Sequence, residues 1–154
     1  AGASAHATLA ALAKKRKAPT LLTPHPAEAA RLLGKTTAQV QRDRIAAACA
    51  MAARYRSFVV LKGNGSVLAD PQGHWWINPT GNAGMATAGM GDALAGLLAS
   101  LVAQRLEPAA ALRLAVWLHG AAADELCAAG RGPLGITASD VIEQSQVILN
   151  RPTA

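Results

Sequence analysis

Aromatic side chains and cysteines are scarce in this sequence. Of its 154 residues, three are Trp, one is Tyr, one is Phe and two are Cys. The core must therefore consist mainly of Ala, Leu and Val, with little stacking of aromatic rings. Cys49 and Cys127 lie in alanine-rich surroundings. This context predicts two buried thiols in place of a disulfide framework, and a reducing compartment, the cytoplasm.

Charged residues and long apolar runs are also few. Hydrophobic residues make up 51% of the chain and charged residues 16%, which excludes a disordered chain. The longest strongly apolar run, 93–103, is too short for a bilayer, which needs about 20 residues, so we expect no membrane association. The net charge is +6, but the basic residues are scattered and no aromatic residues alternate with them. We therefore expect no nucleic acid partner, whereas an anionic small ligand such as a nucleotide suits the charge.

The order of apolar segments and turn residues predicts alternating helices and strands. Helices are expected at 4–17, 26–33, 36 or 37 to 55, 92–104, 108–128 and 138–149, and strands at 20–23, 57–62, 66–69 and 74–77. The Asn64-Gly65 pair between the second and third strands is a strong hairpin signal. This alternation favours one α/β domain with a mostly parallel sheet and one hairpin.

A glycine-rich loop at 78–91 follows a predicted strand and opens a helix. Its glycines at 81, 84, 89 and 91 allow a close approach to a ligand, and the amides of a helix N-terminus favour an anion there. Met90 stands where a phosphate-binding P-loop needs Lys, and Leu94 stands where a dinucleotide-binding turn needs Gly or Ala. The loop is therefore neither of these common motifs.

Asp92 stands at the end of this loop. A carboxylate beside amides that bind an anion either caps the helix or takes a proton from a hydroxyl that attacks a bound phosphate. The residues alone leave both interpretations open. The polar side chains of the same loop, Asn78, Thr80 and Asn82, are further candidate site residues.

Two other segments carry candidate ligand contacts. Lys62 could neutralise a phosphate and Ser66 could donate a hydrogen bond to it, or both could belong to a plain hairpin. His25 follows a strand end between two prolines, where ligands of α/β sheets bind, or it is a surface residue in a rigid turn. No Cys/His spacing suggests a metal site, so we expect no metal ligands from the protein.

Five segments, taken in order, resemble the ADP-dependent NAD(P)H-hydrate dehydratase family of the ribokinase-like superfamily. They are T-P-H-P-A-E (23–28), V-V-L-K-G-N-G-S-V-L-A (59–69), N-P-T-G-N-A-G-M-A-T-A-G-M-G-D-A-L-A-G (78–96), L-H-G-A-A-A-D (118–124) and G-I-T-A-S-D-V-I (135–142). The resemblance implies a three-layer sandwich with helices on both faces of a mostly parallel sheet. It also implies a repair activity, in which hydrated NADH or NADPH is dehydrated at the expense of ADP or ATP with Mg²⁺.

The resemblance also implies roles for individual residues. Asp92 matches the base and contacts the hydrate, and His25 matches a second contact to the hydrate. The anion hole corresponds to Gly89, Met90 and Gly91, and Gly91 also contacts the nucleotide. The segment that binds the nucleotide phosphates corresponds to Lys62, Gly63, Asn64, Gly65 and Ser66.

Three departures from the family pattern stand out. Ala27 replaces a common glycine, and Met90 replaces a small polar residue of related sugar kinases. Complete domains of the family are also longer than this chain. We therefore expect residues 1–154 to be one C-terminal fragment of such a domain, without its N-terminal part. The fragment is expected to be inactive alone. We further expect the full-length protein to be a homo-oligomer.

Two alternatives belong to other functional classes. One is a vitamin-precursor or sugar kinase of the same superfamily, which the T-P-H-P-A-E segment and the asparagine-containing loop disfavour. The other is a nucleotide-binding module without catalysis, which the presence of Asp92 disfavours. The choice between ADP and ATP, and the presence of an epimerase domain, are not encoded in these motifs.

Overall fold

Seven α-helices and four strands make up the described part of the chain. The computed structural model describes residues 2–152, apart from the side chains of residues 2–6 and 14. The helices are α1 (Gly2–Lys15), α2 (Pro26–Leu33), α3 (Thr37–Arg42), α4 (Arg44–Tyr55), α5 (Met90–Ala103), α6 (Pro108–Ala128) and α7 (Ala138–Leu149). The strands are β1 (Leu21–Leu22), β2 (Phe58–Leu61), β3 (Val67–Ala69) and β4 (Trp75–Ile77). The chain divides into two compact units, Ala1–Asn78 and Pro79–Ala154.

The first unit contains a four-stranded sheet in the order β1-β2-β3-β4. β1 and β2 are parallel, and the other two pairings are antiparallel. The predicted hairpin is confirmed, with Leu61 opposite Val67. The sheet is mixed, with one parallel pairing among the described strands, whereas the sequence predicts a mostly parallel sheet. The reason is that β3 and β4 follow their predecessors through short turns, which join only antiparallel neighbours.

The hydrophobic core of the first unit lies between this sheet and helices α2, α3 and α4. α4 packs on β2 and β3, whose alternate residues at 59, 61, 67 and 69 belong to the same buried cluster. Alanines at 47, 48 and 52 of α4 are almost fully buried, and their small side chains allow the helix to approach the sheet closely. Tyr55 is fully buried, and its hydroxyl donates to the carbonyl oxygen of Leu32 at 2.8 Å.

The prediction of one helix from residue 36 or 37 to residue 55 is wrong. The chain leaves the helical conformation at Asp43 (φ −145°, ψ 87°), where α3 ends and α4 begins. The Asp43 carboxylate accepts the amide of Ala46 at 2.8 Å, so it caps the new helix. A short acidic side chain competes for backbone amides in this way, and a reading of periodicity alone does not detect it.

Most other predicted boundaries are close to the observed ones. α2 spans the predicted residues and ends at Gly34, which adopts the left-handed conformation expected of a helix C-cap. α5 begins at Met90, two residues before the predicted start. The cap of α7 is Thr137, and Asp140 completes a capping box with it. Both cysteines are free thiols, but they are half-buried and not fully buried.

In the second unit, α6 packs against α5 and α7. Met90, Leu126, Ile136 and Val141 are the larger buried residues of one core cluster there. The apolar sequence at 112–118 predicts that the middle of α6 is buried almost all round, but Trp117 is 44% exposed. Within residues 2–152, no helix combines the length and the apolar character that crossing a bilayer requires.

The turn between β3 and β4 is closed by Asp70, a buried carboxylate. One carboxylate oxygen accepts the amides of Gln72 and His74, each at 2.9 Å. The other lies 2.8 Å from Nδ1 of His74. Burial alone would raise the pKa of Asp70, but these hydrogen bonds outweigh it and the pKa is lowered. The folded state therefore stabilises the charged carboxylate.

We predict that Asp70→Asn lowers the free energy of unfolding by about 1–3 kcal/mol at pH 7, because buried hydrogen bonds to a charged group are lost. A lowered pKa gives stability that is fully present above the ordinary aspartate pKa and is lost as the pH falls through the folded-state value. The difference between the two proteins should therefore shrink below about pH 4. Urea unfolding at several pH values measures it. Glu143→Gln, at an exposed position of α7, is the control, and a difference that is independent of pH would contradict the assignment.

Candidate functional site

Two of the predicted ligand segments meet in the first unit. β1 and β2 are parallel, so the residues that follow them lie at the same edge of the sheet. The amide of Lys62 donates to the carbonyl oxygen of Pro24 at 2.9 Å. The segment that carries His25 and the segment that begins with Lys62 are therefore adjacent.

The turn at 62–66 is held by a residue that the sequence analysis did not select. Nη1 of Arg44 donates to the carbonyl oxygen of Asn64 at 2.6 Å, and Nη2 donates to that of Leu61 at 3.1 Å. The Ser66 hydroxyl donates to the carbonyl oxygen of Gly63 at 3.2 Å. Lys62 is half-buried, and among residues 2–152 its ammonium group has no hydrogen-bond or ion-pair partner.

His25 caps helix α2. Its Nδ1 accepts the amides of Ala27 and Glu28 at 3.2 and 3.3 Å, and Glu28 in turn accepts the His25 amide at 2.7 Å. Because an amide can only donate, Nδ1 is unprotonated and the neutral ring carries its hydrogen on Nε2. That nitrogen lies 3.5 Å from a Glu28 oxygen, and the His25 side chain is 49% exposed. It can therefore donate a hydrogen bond to a ligand.

A cavity of about 380 Å³ opens at the end of β1 beside α2. Its polar lining comes from Thr23, Glu28 and Arg31, and its apolar lining from Leu22, Pro24 and Leu32. Glu28 both lines this cavity and belongs to the capping box that it forms with His25. The first unit thus places a concave surface beside the helix that His25 caps.

In the second unit, the start of α5 lacks a side-chain cap. Its N-cap residue is Gly89, and the first helical hydrogen bond runs from the amide of Ala93 to the Gly89 carbonyl oxygen at 2.9 Å. The amides of Met90, Gly91 and Asp92 therefore precede the helical ladder. By contrast, a side chain caps each of α2, α3, α4, α6 and α7. Among helices α2 to α7, the predicted anion hole is therefore the helix start that has no side-chain cap.

Asp92 belongs to the first turn of α5 and is exposed. It does not cap the helix, so the capping interpretation that the sequence left open is wrong. Within the described residues its carboxylate makes no hydrogen bond or ion pair. The carboxylate is consequently accessible at the N-terminus of a helix whose first amides are also accessible.

The loop that leads to α5 is attached to α6 by Asp124. The two carboxylate oxygens accept the Gly81 amide at 2.8 Å and the Asn82 side-chain amide at 3.0 Å. The Thr80 hydroxyl donates to the carbonyl oxygen of Trp117 at 2.9 Å. The polar groups of the candidates Thr80 and Asn82 are thus used to hold the loop.

The close approach of this loop to α6 requires Gly120. A Cβ atom there would lie 2.3 Å from the Thr80 hydroxyl oxygen and 2.6 Å from its carbonyl carbon. Neither Gly120 nor Asp124 is among the site residues that the sequence predicts. The signal for both was the L-H-G-A-A-A-D segment, where glycine and aspartate lie four residues apart on one face of a helix.

The remaining candidate, Asn78, is buried and continues the hairpin of the first unit, with its amide donating to the Ser66 carbonyl oxygen at 2.9 Å. Among the side chains that the structure describes, which do not include those of residues 2–6 and 14, no group of three His, Cys, Asp or Glu is arranged to hold a metal ion. Lys62 to Ser66 and His25 therefore share the first unit, and the glycine loop and Asp92 share the second.

Comparison with known proteins identifies the family that the motifs indicate. The NAD(P)H-hydrate dehydratase family model matches residues 1–147. The chain is 46% identical over 133 residues to the ADP-dependent (S)-NAD(P)H-hydrate dehydratase of Neisseria meningitidis, over 86% of this chain and 45% of that protein.

Solved structures show the fold. An ADP/ATP-dependent NAD(P)H-hydrate dehydratase of Bacillus subtilis, co-crystallised with ATP and Mg²⁺, superimposes with a TM-score of 0.83 and 35% identity, over 88% of this chain and 48% of that one. A ribokinase-like superfamily protein of Enterococcus faecalis gives a TM-score of 0.72 and 27% identity, over 95% of this chain and 50% of that one. The chain therefore spans about half the length of these three relatives.

These similarities agree with the ribokinase-like α/β fold that the motifs predicted. Because the family model covers nearly the whole sequence and the motifs lie at helix and strand ends that can contact ligands, the chain belongs to the NAD(P)H-hydrate dehydratase family.

Proposed function

We propose that this chain supplies the catalytic base and phosphate contacts of an enzyme that removes water from the S-epimer of hydrated NADH or NADPH, at the expense of ADP. One observation carries the proposal. In a member of the dehydratase family, the exposed carboxylate of Asp92 stands on the first turn of the helix that no side chain caps. An unpaired carboxylate can act as a base, and uncapped amides can bind a phosphate.

Asp92 is the proposed general base. It takes the proton from the hydroxyl group on the hydrated nicotinamide ring, and the oxygen then attacks the terminal phosphorus of ADP, releasing AMP. The phosphate group next leaves with the electron pair of the carbon–oxygen bond, while the neighbouring carbon loses a proton. The ring double bond is restored, so hydrate and ADP yield reduced nicotinamide nucleotide, AMP and phosphate.

Each unit has a proposed role in binding. In the second unit, the backbone from Gly89 to Gly91 stabilises the charge on the transferred phosphoryl group, and Gly91 also contacts the nucleotide. In the first unit, the backbone of the turn at 62–66 and the ammonium group of Lys62 bind nucleotide phosphates. The Met90 side chain is buried, so its part in the anion hole is played by the backbone amide.

His25 is the proposed donor to the hydrate. Its Nδ1 is occupied by the cap of α2, which leaves Nε2–H to donate a hydrogen bond. The cap also orients the ring, because rotation would break the bonds from the amides of Ala27 and Glu28. His25 is therefore assigned to binding, and Asp92 to proton transfer.

The cofactor and the cellular setting also belong to the proposal. Mg²⁺ and either ADP or ATP suit the chain because the Bacillus subtilis relative was co-crystallised with ATP and Mg²⁺. The two free thiols are compatible with the cytoplasm. The homo-oligomeric state, the place of the chain as the C-terminal part of a larger domain and the inactivity of the 154 residues alone stay predictions.

The activity is tested on the full-length protein encoded by the reading frame that contains these residues, with the 154-residue chain assayed beside it. The full-length protein should regenerate NADPH from its S-hydrate when ADP and Mg²⁺ are supplied, with AMP and phosphate formed in equal amounts. Transfer of phosphate to a vitamin precursor or sugar, without turnover of the hydrate, would establish the kinase alternative. Nucleotide binding without either reaction would establish the non-catalytic alternative.

We predict that Asp92→Asn lowers kcat for hydrate dehydration by at least about a hundredfold, because a positioned general base contributes 10²–10⁴ to the rate. ADP binding, measured by calorimetry, should change little. Glu143→Gln removes a carboxylate from an exposed position of α7 and serves as the control. An Asp92→Asn variant that keeps most of the activity would refute the role of this residue as base.

We also predict that Asp124→Asn lowers kcat several-fold and the free energy of unfolding by about 1–2 kcal/mol, because one hydrogen bond to the loop is lost. The double variant Asp124→Asn with Asn82→Asp should recover most of both losses, since the amide and the carboxylate only exchange places across the same 3.0 Å contact. A double-mutant cycle measures the coupling. Additive losses would show that the contact does not position the loop.

A further inference from the structure

Arg44 lies against the turn that is proposed to bind the nucleotide phosphates, and no motif used above includes it. We propose that Arg44 is a positioning residue for a nucleoside diphosphate. Its guanidinium group holds the turn at 62–66 in the shape that receives phosphate and contributes positive charge to it. This inference rests on the proposed function, because it concerns the same nucleotide site.

The guanidinium group bridges the two ends of the turn. Nη1 donates to the Asn64 carbonyl oxygen at 2.6 Å and Nη2 to the Leu61 carbonyl oxygen at 3.1 Å. The two acceptors lie on either side of Lys62 and Gly63. The planar, two-pronged donor group of arginine can make both bonds at once, which the single ammonium group of lysine does less well.

Gly63, inside the turn, has no side chain and so leaves room for the guanidinium group of Arg44. A Cβ atom at Gly63 would lie 2.8 Å from Nη2 and 3.2 Å from Cζ of Arg44, and the φ angle of Gly63 is +151°. The backbone angle therefore favours glycine, and a side chain at position 63 would have to displace the guanidinium group of Arg44. Arg44 fills the space that a side chain at position 63 would need.

The backbone of Lys62 is held on both sides. Arg44 binds the carbonyl oxygen of the preceding residue, Leu61, and the Lys62 amide donates to the Pro24 carbonyl oxygen at 2.9 Å. The direction in which the lysine side chain leaves the turn therefore depends on Arg44.

The charge of Arg44 has no counter-ion in the described part of the chain. Its observed hydrogen-bond acceptors are carbonyl oxygens, and Nε is buried without a hydrogen-bond partner. Burial lowers the pKa of Arg44, which shows that the environment disfavours the positive charge. Arg44 is also the first residue of α4, where the helix dipole disfavours a cation.

A bound anion would compensate this unfavourable placement. The adjacent Asp43 is engaged as the cap of α4, with its carboxylate accepting the Ala46 amide at 2.8 Å. A phosphate at the turn would face both Arg44 and Lys62. A partly desolvated cation that has no ion-pair partner among the described residues costs stability in the free protein, and a bound nucleotide would reduce this cost.

The test compares Arg44→Met, Arg44→Lys and the control Arg42→Met in the full-length protein. Arg42 is an exposed arginine in the last turn of α3, so its substitution removes the same charge two residues away. Calorimetry measures the affinity for ADP, for inorganic pyrophosphate and for adenosine, which lacks phosphate. Hydrogen exchange of the amides at 63–66 measures the order of the turn without any ligand.

We predict that Arg44→Met weakens the binding of ADP and pyrophosphate at least about tenfold, because charge-assisted bonds are lost. Arg44→Lys should lose less, and Arg42→Met should change little. Adenosine affinity should stay constant, the KM for ADP should rise without a change in the KM for the hydrate, and exchange at 63–66 should be faster in Arg44→Met.

Two results would overturn the inference. One is an ADP affinity of Arg44→Met equal to that of Arg42→Met. The other is an equal loss of ADP and adenosine affinity, which indicates general destabilisation. If Arg44→Met does not fold, the same comparison is made with Arg44→Lys. Absence of ADP binding by the unsubstituted protein would refute the proposed function itself, and is distinguished from both results because no substitution is involved.

Discussion

The rest of the structure depends on hydrogen bonds from polar side chains to the backbone groups at turns and helix ends. His25, Thr36, Asp43, Glu107 and Thr137 cap helices. Asp70, Arg44 and Asp124 hold turns and loops through backbone amides or carbonyl oxygens. Few polar groups near the predicted site are left over, and the Asp92 carboxylate and the Lys62 ammonium are among them. The groups that the fold does not use are the ones available to a ligand.

An alanine-rich core makes these polar contacts more important. Small side chains allow close packing of α4 against the sheet, but each buries little apolar area and contributes correspondingly little stability. Hydrogen bonds that determine where a loop lies, such as those of Asp124 and Arg44, then decide the local structure. The glycines opposite them, Gly120 and Gly63, allow the backbone to approach.

The division of polar groups between structural contacts and ligand contacts also suits the proposed reaction. A base that transfers a proton must be accessible and unpaired, whereas a loop that holds a phosphate must be rigid. In the second unit these demands are divided between Asp92, which makes no contact within the described residues, and the loop residues Gly81 and Asn82, which Asp124 binds. In the first unit, Lys62 is the accessible group that is proposed to bind phosphate, and Arg44 holds the turn that carries it.

Much of this could be predicted from local patterns. The limits of α2, the hairpin between β2 and β3, the limits of α6 and α7 and the family itself follow from short-range rules, because caps, turns and motif spacings involve residues close together in the chain. The candidates Lys62 and Asp92 were found in the same way. The break at Asp43 was missed, since alanine gives little periodic signal and a competing cap leaves none.

Only the tertiary structure decided which polar residues hold turns, loops and helix ends and which remain available to a ligand. Arg44 lies 17 and 20 residues from its two acceptors, and Asp124 lies 43 and 42 residues from Gly81 and Asn82. No local pattern encodes such pairs, because their partners are backbone groups that every residue possesses. The sequence by itself determined the family and selected Asp92 as a candidate, with the role of base or of helix cap left open. The folded chain determined that Thr80 and Asn82 hold the loop, that His25 caps a helix and that Arg44 lies against the turn at 62–66, because these roles depend on distances that exist only after packing.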